Sequence, residues 1–150
     1  MMDFEQLAFI ERWRQKASRG VVVALDGTRG DIVVTLRVGE LAERMDMRGQ
    51  DATGAVRKGR LAIGDRVFMA MEYRAKDVHA GTGEPSVSGR LVAPNATVSG
   101  TISEAGEVAV VDCGAAVLVR GDTLGGMRVG DAVEFTVDGE GKAYLIPTRG

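Results

Sequence analysis

The residues best suited to chemistry in this chain are a group of basic side chains in its first half. The group consists of Arg48, Arg57, Lys58, Arg60 and Arg66. Arginine binds phosphate well because its planar guanidinium group donates two parallel hydrogen bonds. The group therefore predicts a surface that binds RNA or single-stranded nucleic acid. The alternative is an ordinary solvated loop, because acidic residues in the same region offset part of the positive charge.

Phe68 is the aromatic residue closest to this basic group in the sequence. Within residues 66–73 it alternates with Val67 and Met69, which predicts that its ring faces outward from a strand. An outward aromatic ring beside an arginine can stack on a base, so Phe68 is included among the candidate nucleic-acid-binding residues. The favoured alternative is packing against a neighbouring element, which is the commoner fate of a lone apolar residue.

The residue types that serve as nucleophiles and proton carriers do not form a catalytic pattern. His79 is the single histidine, and it has Asp77 two residues away but no nucleophile nearby. Cys113 is the single cysteine, and no histidine or asparagine near it in sequence could activate its thiol. One cysteine and one histidine also cannot build a zinc site. We therefore expect no enzymatic activity, no metal and no cofactor.

The distribution of charge narrows the range of partners. The 150 residues carry a formal net charge of −2, which argues against a protein that coats duplex DNA through bulk positive charge. The average conceals a difference between the halves. Residues 1–80 contain 14 Lys and Arg against 12 Asp and Glu, whereas residues 81–150 contain 5 against 9. A polyanion is therefore expected to meet the first half of the chain.

The composition also bears on the compartment. Hydrophobic residues make up 45% of the chain, but no apolar run approaches the roughly 20 residues needed to cross a bilayer. The N-terminus carries Asp3, Glu5 and Glu11 rather than the basic and apolar regions of a secretion signal. A single cysteine excludes an intramolecular disulfide. These features predict a cytoplasmic protein with no membrane partner.

Short alternating segments separated by glycine-rich turns predict a mostly β protein. A short amphipathic helix is expected at the N-terminus, where Leu7, Ile10 and Trp13 recur at helical spacing within residues 1–19. A β-hairpin is expected next, over residues 21–38. The longer connection after the hairpin is expected to contain a helical turn at residues 41–47.

An internal repeat is centred on a Gly-Asp turn. The segments LAIGDRV (residues 61–67) and MRVGDAV (residues 127–133) share one pattern of apolar residues, glycine, aspartate and valine. Glycine permits the tight turn, and aspartate can bond the amides of that turn. The repeat predicts two small five-stranded β-barrels, one over residues 20–80 and one over residues 91–150, with a linker at 81–90.

Three short motifs carry a family resemblance. They are Gly54-Ala55-Val56-Arg57-Lys58, Gly64-Asp65-Arg66-Val67 and Gly89-Arg90-Leu91-Val92. In these motifs the chain resembles the S1-like branch of the oligonucleotide/oligosaccharide-binding (OB) fold, in particular the family of bacterial translation initiation factor one. The resemblance implies an OB barrel whose basic residues face RNA, with Arg57 and Lys58 at the basic pair of the family. The chain departs from the family at Ala55, where the family has lysine, and in its N-terminal helix. An SH3-like barrel is the alternative fold.

These observations predict a non-enzymatic protein that binds RNA or single-stranded nucleic acid through the basic loop of the first barrel. The alternative is an adaptor, in which the tandem barrels bind a protein partner or form a homo-oligomer through exposed sheet edges. The acidic composition favours the alternative, as does the small number of aromatic residues, which comprise 4 Phe, 2 Tyr and 1 Trp.

Overall fold

A computed structural model describes residues 18–27, 32–39, 44–121 and 124–147 of the chain. These residues form eleven β-strands and two 3₁₀ turns, and none of them is in an α-helix. The strands are β1 (Ser18–Asp26), β2 (Val33–Val38), β3 (Met45–Asp51), β4 (Arg66–Ala80), β5 (Ser86–Val87), β6 (Leu91–Val92), β7 (Thr97–Glu104), β8 (Ala109–Asp112), β9 (Ala116–Arg120), β10 (Ala132–Val137) and β11 (Lys142–Pro147). The mostly β character predicted from the sequence is confirmed.

Two sequence-based expectations concern helical structure. Residues 1–17, which hold almost all of the predicted N-terminal helix, lie outside the described residues, while Ser18 and Arg19 belong to β1. Among the described residues, no helix is long and apolar enough to cross a membrane.

The prediction of a helical turn at residues 41–47 is wrong for the last three of these residues, which begin β3. Buried and less buried residues alternate along β3, and this period of two is typical of a strand with one face on the core.

Five strands form a closed ring, here called the first ring. Strands β1, β2 and β3 make an antiparallel meander, and β4 returns to pair antiparallel with β1. The spatial order β4-β1-β2-β3 is that of a Greek key. Strand β11 completes the first ring by pairing parallel with β3 and antiparallel with β4.

The second ring has the same arrangement. Strands β7, β8 and β9 make an antiparallel meander, and β10 pairs antiparallel with β7. The second ring closes where the later part of β4 pairs parallel with β9 and antiparallel with β10. Each strand of the first ring therefore has a counterpart in the second.

The two rings exchange their closing strands. Residues 66–72 of β4 pair with β1 and β11, whereas residues 72–80 pair with β9 and β10. The first ring is closed by β11, which follows β10 of the second repeat. The second ring is closed by the continuation of β4, which begins in the first repeat. As a result, both repeats belong to one continuous sheet.

The two Gly-Asp turns of the sequence repeat have matching geometry. In each copy the glycine amide donates to a carbonyl oxygen on the first strand of its ring, at 2.8 Å in both. The aspartate carboxylate accepts a hydrogen bond from the amide three residues earlier, at 2.9 Å in both. Gly64 and Gly130 have φ values of 95° and 94°, a conformation that other residues rarely adopt. The turns thus start β4 and β10 in the same way.

Two apolar clusters hold the sheet together. The larger one consists of the inward-facing rows of the rings, and its fully buried side chains include Leu36, Met71, Tyr73 and Phe135. The smaller cluster is formed by Ala70, Val110 and Leu118, against which Phe68 and Ile146 pack. It joins the outer face of β4 and β11 to the outer face of β8 and β9.

Candidate nucleic-acid interface

The connection from β3 to β4 begins with a turn organised by the side chain of Asp51. Its Oδ1 accepts hydrogen bonds from the amides of Thr53 and Gly54 at 3.2 and 3.1 Å, and its Oδ2 accepts one from the Val56 amide at 2.9 Å. The Thr53 hydroxyl donates to the same carboxylate at 2.8 Å. The turn therefore has a defined shape, and its amides are already bonded within the protein.

Arg57 and Lys58 are exposed on this turn and lie close together. A Cβ atom placed on Gly54 would lie 3.7 Å from Nη2 of Arg57 and 3.7 Å from Cε of Lys58, so both side chains pass over the same glycine. With Ile32 and Asp51 they line an open groove of about 310 Å³. The structure thus brings together the two residues at the centre of the predicted basic group.

Arg60 and Arg66 are exposed farther along the same connection. The Arg60 amide donates to the Ala55 carbonyl oxygen at 2.8 Å, which fixes the end of the turn. Arg66 is the first residue of β4 and lies opposite Val21 of β1. Four of the five predicted basic residues are therefore exposed between the end of β3 and the start of β4.

Arg48 is placed differently from the other four. It lies on β3, and its Nε donates to Oε1 of Glu140 at 2.9 Å. Glu140 belongs to the connection between β10 and β11, and its Oε2 is buried with no hydrogen-bond partner among the described residues. Arg48 is therefore neutralised by a carboxylate of the second repeat rather than joined to the basic turn.

Phe68 packs within the protein. It is partly buried against the smaller apolar cluster, beside Ala70 and Leu118. The guanidinium group of Arg19 lies over its ring, 5.1 Å from the ring centroid, which is the geometry of a cation–π contact. A base would have to displace Arg19 to stack on that side of the ring.

The outward side chains of β2 and β3 form a surface, here called the β2–β3 face, that was not predicted from the sequence. It consists of Val33, Thr35, Arg37, Asp46, Arg48 and Gln50. Arg37 and Asp46 lie opposite each other and form two hydrogen bonds of 2.8 and 3.1 Å, which raise the pKa of Arg37. The side chains of Arg37 and Arg48 are 40% and 41% exposed, so the face is open to solvent. The alternation along β3 is the sequence signal that could have revealed it.

Basic side chains lie beyond both ends of β3. Arg44 is exposed and immediately precedes the strand, whereas Arg57 and Lys58 follow it. The 7 residues of β3 span about 20 Å at roughly 3.3 Å per residue. Positive charge therefore flanks the β2–β3 face at each end, over a length that fits several nucleotides of a single strand.

The corresponding face of the second ring is closed. Val110 of β8 and Leu118 of β9 occupy its centre and are 4% and 1% exposed. Phe68 and Ile146 of the first ring pack against them. Only one of the two equivalent faces is therefore accessible to a ligand in the described part of the chain.

His79 and Cys113 remain without catalytic partners among the described residues. The two ring nitrogens of exposed His79 contact the Asp77 carbonyl oxygen and the Glu134 carboxylate, each at 2.9 Å. These contacts raise the pKa of His79, and the Asp77 carbonyl oxygen has the larger effect.

Burial raises the pKa of the Cys113 thiol to about 11, so it is protonated at neutral pH. No three metal-binding side chains of residues 18–27, 32–39, 44–121 and 124–147 cluster closely enough to hold an ion.

Comparisons with known proteins gave no significant match. The chain matches no protein-family model, and no curated protein or solved structure gave a significant match. The functional assignment therefore depends on the geometry of the β2–β3 face and of the basic turn that follows it.

Proposed function

We propose that the two rings are OB-type barrels and that the first binds RNA or another single-stranded nucleic acid without catalysing a reaction. An OB fold is a five-stranded Greek-key barrel that binds oligonucleotides on the face of its second and third strands. Each ring has five strands and a Greek-key order, and β2 and β3 are the second and third strands of the first ring. This arrangement supports the OB interpretation, in which the β2–β3 face would be the binding surface.

The observation that carries the proposal is the difference between the two equivalent faces. The β2–β3 face is open, polar and flanked by Arg44 at one end and by Arg57 and Lys58 at the other. The β8–β9 face is apolar and covered by the first ring. A protein whose barrels serve only as spacers does not require one open, polar face. A protein with one ligand-binding barrel requires such a face.

The composition of the face favours contacts with the backbone of the nucleic acid. Arg57 and Lys58 can bind phosphates, and Thr35 and Gln50 can form hydrogen bonds with sugar or base edges. Phe68, the aromatic residue proposed to stack on a base, is partly buried and lies under Arg19. We therefore infer binding with little sequence preference and a strong dependence on salt.

Fluorescence anisotropy with an end-labelled dodecauridylate tests the proposal. The wild-type affinity is expected to fall steeply between about 50 and about 200 mM salt. The double variant Arg57→Gln, Lys58→Gln is expected to bind about tenfold more weakly and to lower the log–log salt slope by about 1.4, because each lost phosphate contact removes about 0.7.

The control is Arg128→Gln, which removes an exposed arginine from the Gly-Asp turn of the second ring. It should bind like the wild-type protein. The proposal is wrong if the wild-type protein does not bind the dodecauridylate at about 50 mM salt, or if the double variant and the control have the same affinity.

A second candidate function is protein binding or self-association. Ile63 and Val129 occupy equivalent positions in the two Gly-Asp turns and are 63% and 64% exposed. Matching apolar side chains at exposed positions favour contact with a protein or with another copy of the chain. Sedimentation velocity tests self-association: oligomers that disappear in the double variant Ile63→Ser, Val129→Ser would support it, and a monomer at every concentration would contradict it.

A further inference from the structure

A second groove lies at the start of β3, at the opposite end of the strand from the basic turn. It has a volume of about 510 Å³. Its lining includes Arg44, Ser86, Val87, Arg90, Cys113 and Gly114. These residues come from the start of β3, from the segment around β5 and from the turn between β8 and β9. The groove therefore lies where parts of both repeats meet.

The charge of this groove differs from that of two further grooves in the described part of the chain. It is lined by two arginines and no carboxylate. The groove beside Arg57 includes Asp51, and a third groove, beside Arg74, includes Asp77 and Asp138. No described carboxylate lies within ion-pair distance of Arg44 or Arg90.

The carboxylate of Asp112, one of the acidic residues adjacent in sequence to the lining, is engaged by the backbone. Asp112 precedes Cys113, and its Oδ1 accepts a hydrogen bond from the Gly114 amide at 3.0 Å. The Cys113 thiol has a pKa raised to about 11 by burial, so it is neutral and does not repel an anion. Among the lining residues, the two guanidinium groups therefore carry the charge.

The backbone holds Arg90 in place beside β3. Leu91 pairs with Asp46 in the parallel ladder between β6 and β3, so the preceding residue, Arg90, lies next to the start of β3. Arg90 has a φ of 54°, which is uncommon for a residue with a side chain. Its position is thus set by strand pairing rather than by a flexible loop.

We propose that this groove is a second phosphate-binding subsite, in which Arg44 and Arg90 bind a backbone phosphate of the same nucleic-acid strand. The inference rests on the proposed function, because the strand would run along the β2–β3 face from Arg57 and Lys58 to this groove. The length of β3, about 20 Å, separates the two subsites. A ligand of two nucleotides is too short to reach both, whereas one of eight nucleotides reaches both.

The test measures how affinity depends on ligand length. End-labelled oligouridylates of two, four, eight and twelve nucleotides are titrated against wild-type protein and against the double variant Arg44→Gln, Arg90→Gln. For the wild-type protein, the affinity is expected to rise about tenfold between the two-nucleotide and eight-nucleotide ligands. In the variant this increase is expected to disappear, and the salt slope for the longer ligands falls by about 1.4.

A second variant guards against an effect of folding. In Arg44→Gln, Arg90→Gly the glycine suits the positive φ of position 90, so the backbone is retained while the charge is lost. This variant should behave like the first one, and both should keep the melting temperature of the wild-type protein. Arg128→Gln serves again as the control for the loss of an exposed arginine.

The outcomes separate this inference from the proposed function. If both Arg44/Arg90 variants bind every ligand like the wild-type protein, while Arg57→Gln, Lys58→Gln binds more weakly, the second subsite is wrong and the proposed function stands. If the wild-type protein binds none of the ligands at about 50 mM salt, the proposed function is wrong and the subsite with it.

Discussion

Oε1 of Glu140 accepts a hydrogen bond from Nε of Arg48 at 2.9 Å, although the two residues are 92 positions apart. Arg48 lies on β3 of the first ring, and Glu140 lies in the connection from β10 to β11. Because β11 closes the first ring, the connection before it delivers a carboxylate of the second repeat to the β2–β3 face. The strand exchange therefore brings the acidic half of the chain into contact with the proposed binding surface.

Replacing Glu140 with glutamine is expected to strengthen binding of the dodecauridylate. Loss of the carboxylate charge leaves the Arg48 guanidinium available to a phosphate. Because Arg48 is 41% exposed and the pair is screened by solvent, we expect a modest gain of about threefold at about 50 mM salt. Fluorescence anisotropy measures this change directly.

The matched control is Asp138→Asn, which removes a negative charge from the same connection. Asp138 lines the groove beside Arg74 and has no ion pair with Arg48 among the described contacts. If both variants raise the affinity equally, the effect comes from net charge, and a specific restraint of Arg48 by Glu140 is contradicted.

The placement of Arg48 also shows how far the site could be predicted from sequence. Arg57 and Lys58 are adjacent and share one turn, so local spacing was enough to group them. Arg48 has its partner in another repeat, and no local pattern indicates that pairing. Arg44 was missed for a related reason, because β3 contains few apolar residues and residues 41–47 were interpreted as a helical turn within a longer connection.

The fold was predictable to a similar extent. Alternation and glycine turns indicated most strands, including β9 and β11, because these signals lie within a few residues of each other. The exchange between the rings was not predictable, since β4 reads as a strand whichever neighbours it pairs with. Its partners are selected by packing between segments distant in sequence, and this selection leaves no periodic signal.

Gly141 marks the point where the two rings meet, and we expect Gly141→Ala to destabilise the protein. A Cβ atom there would overlap the ring of Tyr73 and lie 3.0 Å from the Glu72 carbonyl oxygen. Tyr73 is 1% exposed and its hydroxyl donates to the Arg48 carbonyl oxygen at 3.0 Å, so it has little room to move. The free energy of unfolding, measured with urea, is expected to fall by about 2 kcal/mol.

Gly126→Ala is the control for this substitution. A Cβ atom on Gly126 would meet nothing within 4 Å. Its effect on the free energy of unfolding should stay within about 0.5 kcal/mol. Similar losses in both variants would show that close packing at Gly141 is not the cause.

His79 is expected to titrate above the usual histidine range. The Asp77 carbonyl oxygen, followed by the Glu134 carboxylate, raises its pKa. As the single histidine of the chain it gives one imidazole titration by proton NMR. In Glu134→Gln the pKa should fall but stay above about 6.5, because the Asp77 contact remains. A wild-type pKa at or below about 6.5 would contradict the contacts.

The raised pKa of His79 determines how the stability of the fold depends on pH. Since the pKa of His79 is higher in the folded than in the unfolded state, the protonated ring stabilises the fold below about pH 6.5. This contribution is lost as the pH rises through the pKa of the folded state. The melting temperature of the wild-type protein should therefore exceed that of His79→Gln in acid and match it in alkali. A difference that grows with pH would have the wrong sign.

A chain cut between β4 and β5 is expected to stay in one piece. A protease site inserted within residues 81–85 allows the cut after folding. The first ring still needs β11 from the second fragment, and the second ring still needs residues 72–80 from the first. Size-exclusion chromatography in native buffer should show both fragments eluting together at the mass of the intact chain.

The strength of this association should depend on the exchanged strand. Leu145 of β11 is 2% exposed, so Leu145→Ala is expected to cost about 3 kcal/mol and to separate the cut fragments at lower urea concentration. Ile63→Ala, at a position 63% exposed, should leave their separation unchanged. If the fragments instead elute apart in native buffer with intact β spectra, each ring has closed on strands of its own repeat. The exchange would then not be what holds the two repeats together, and the contact between Glu140 and Arg48 would lose its structural basis.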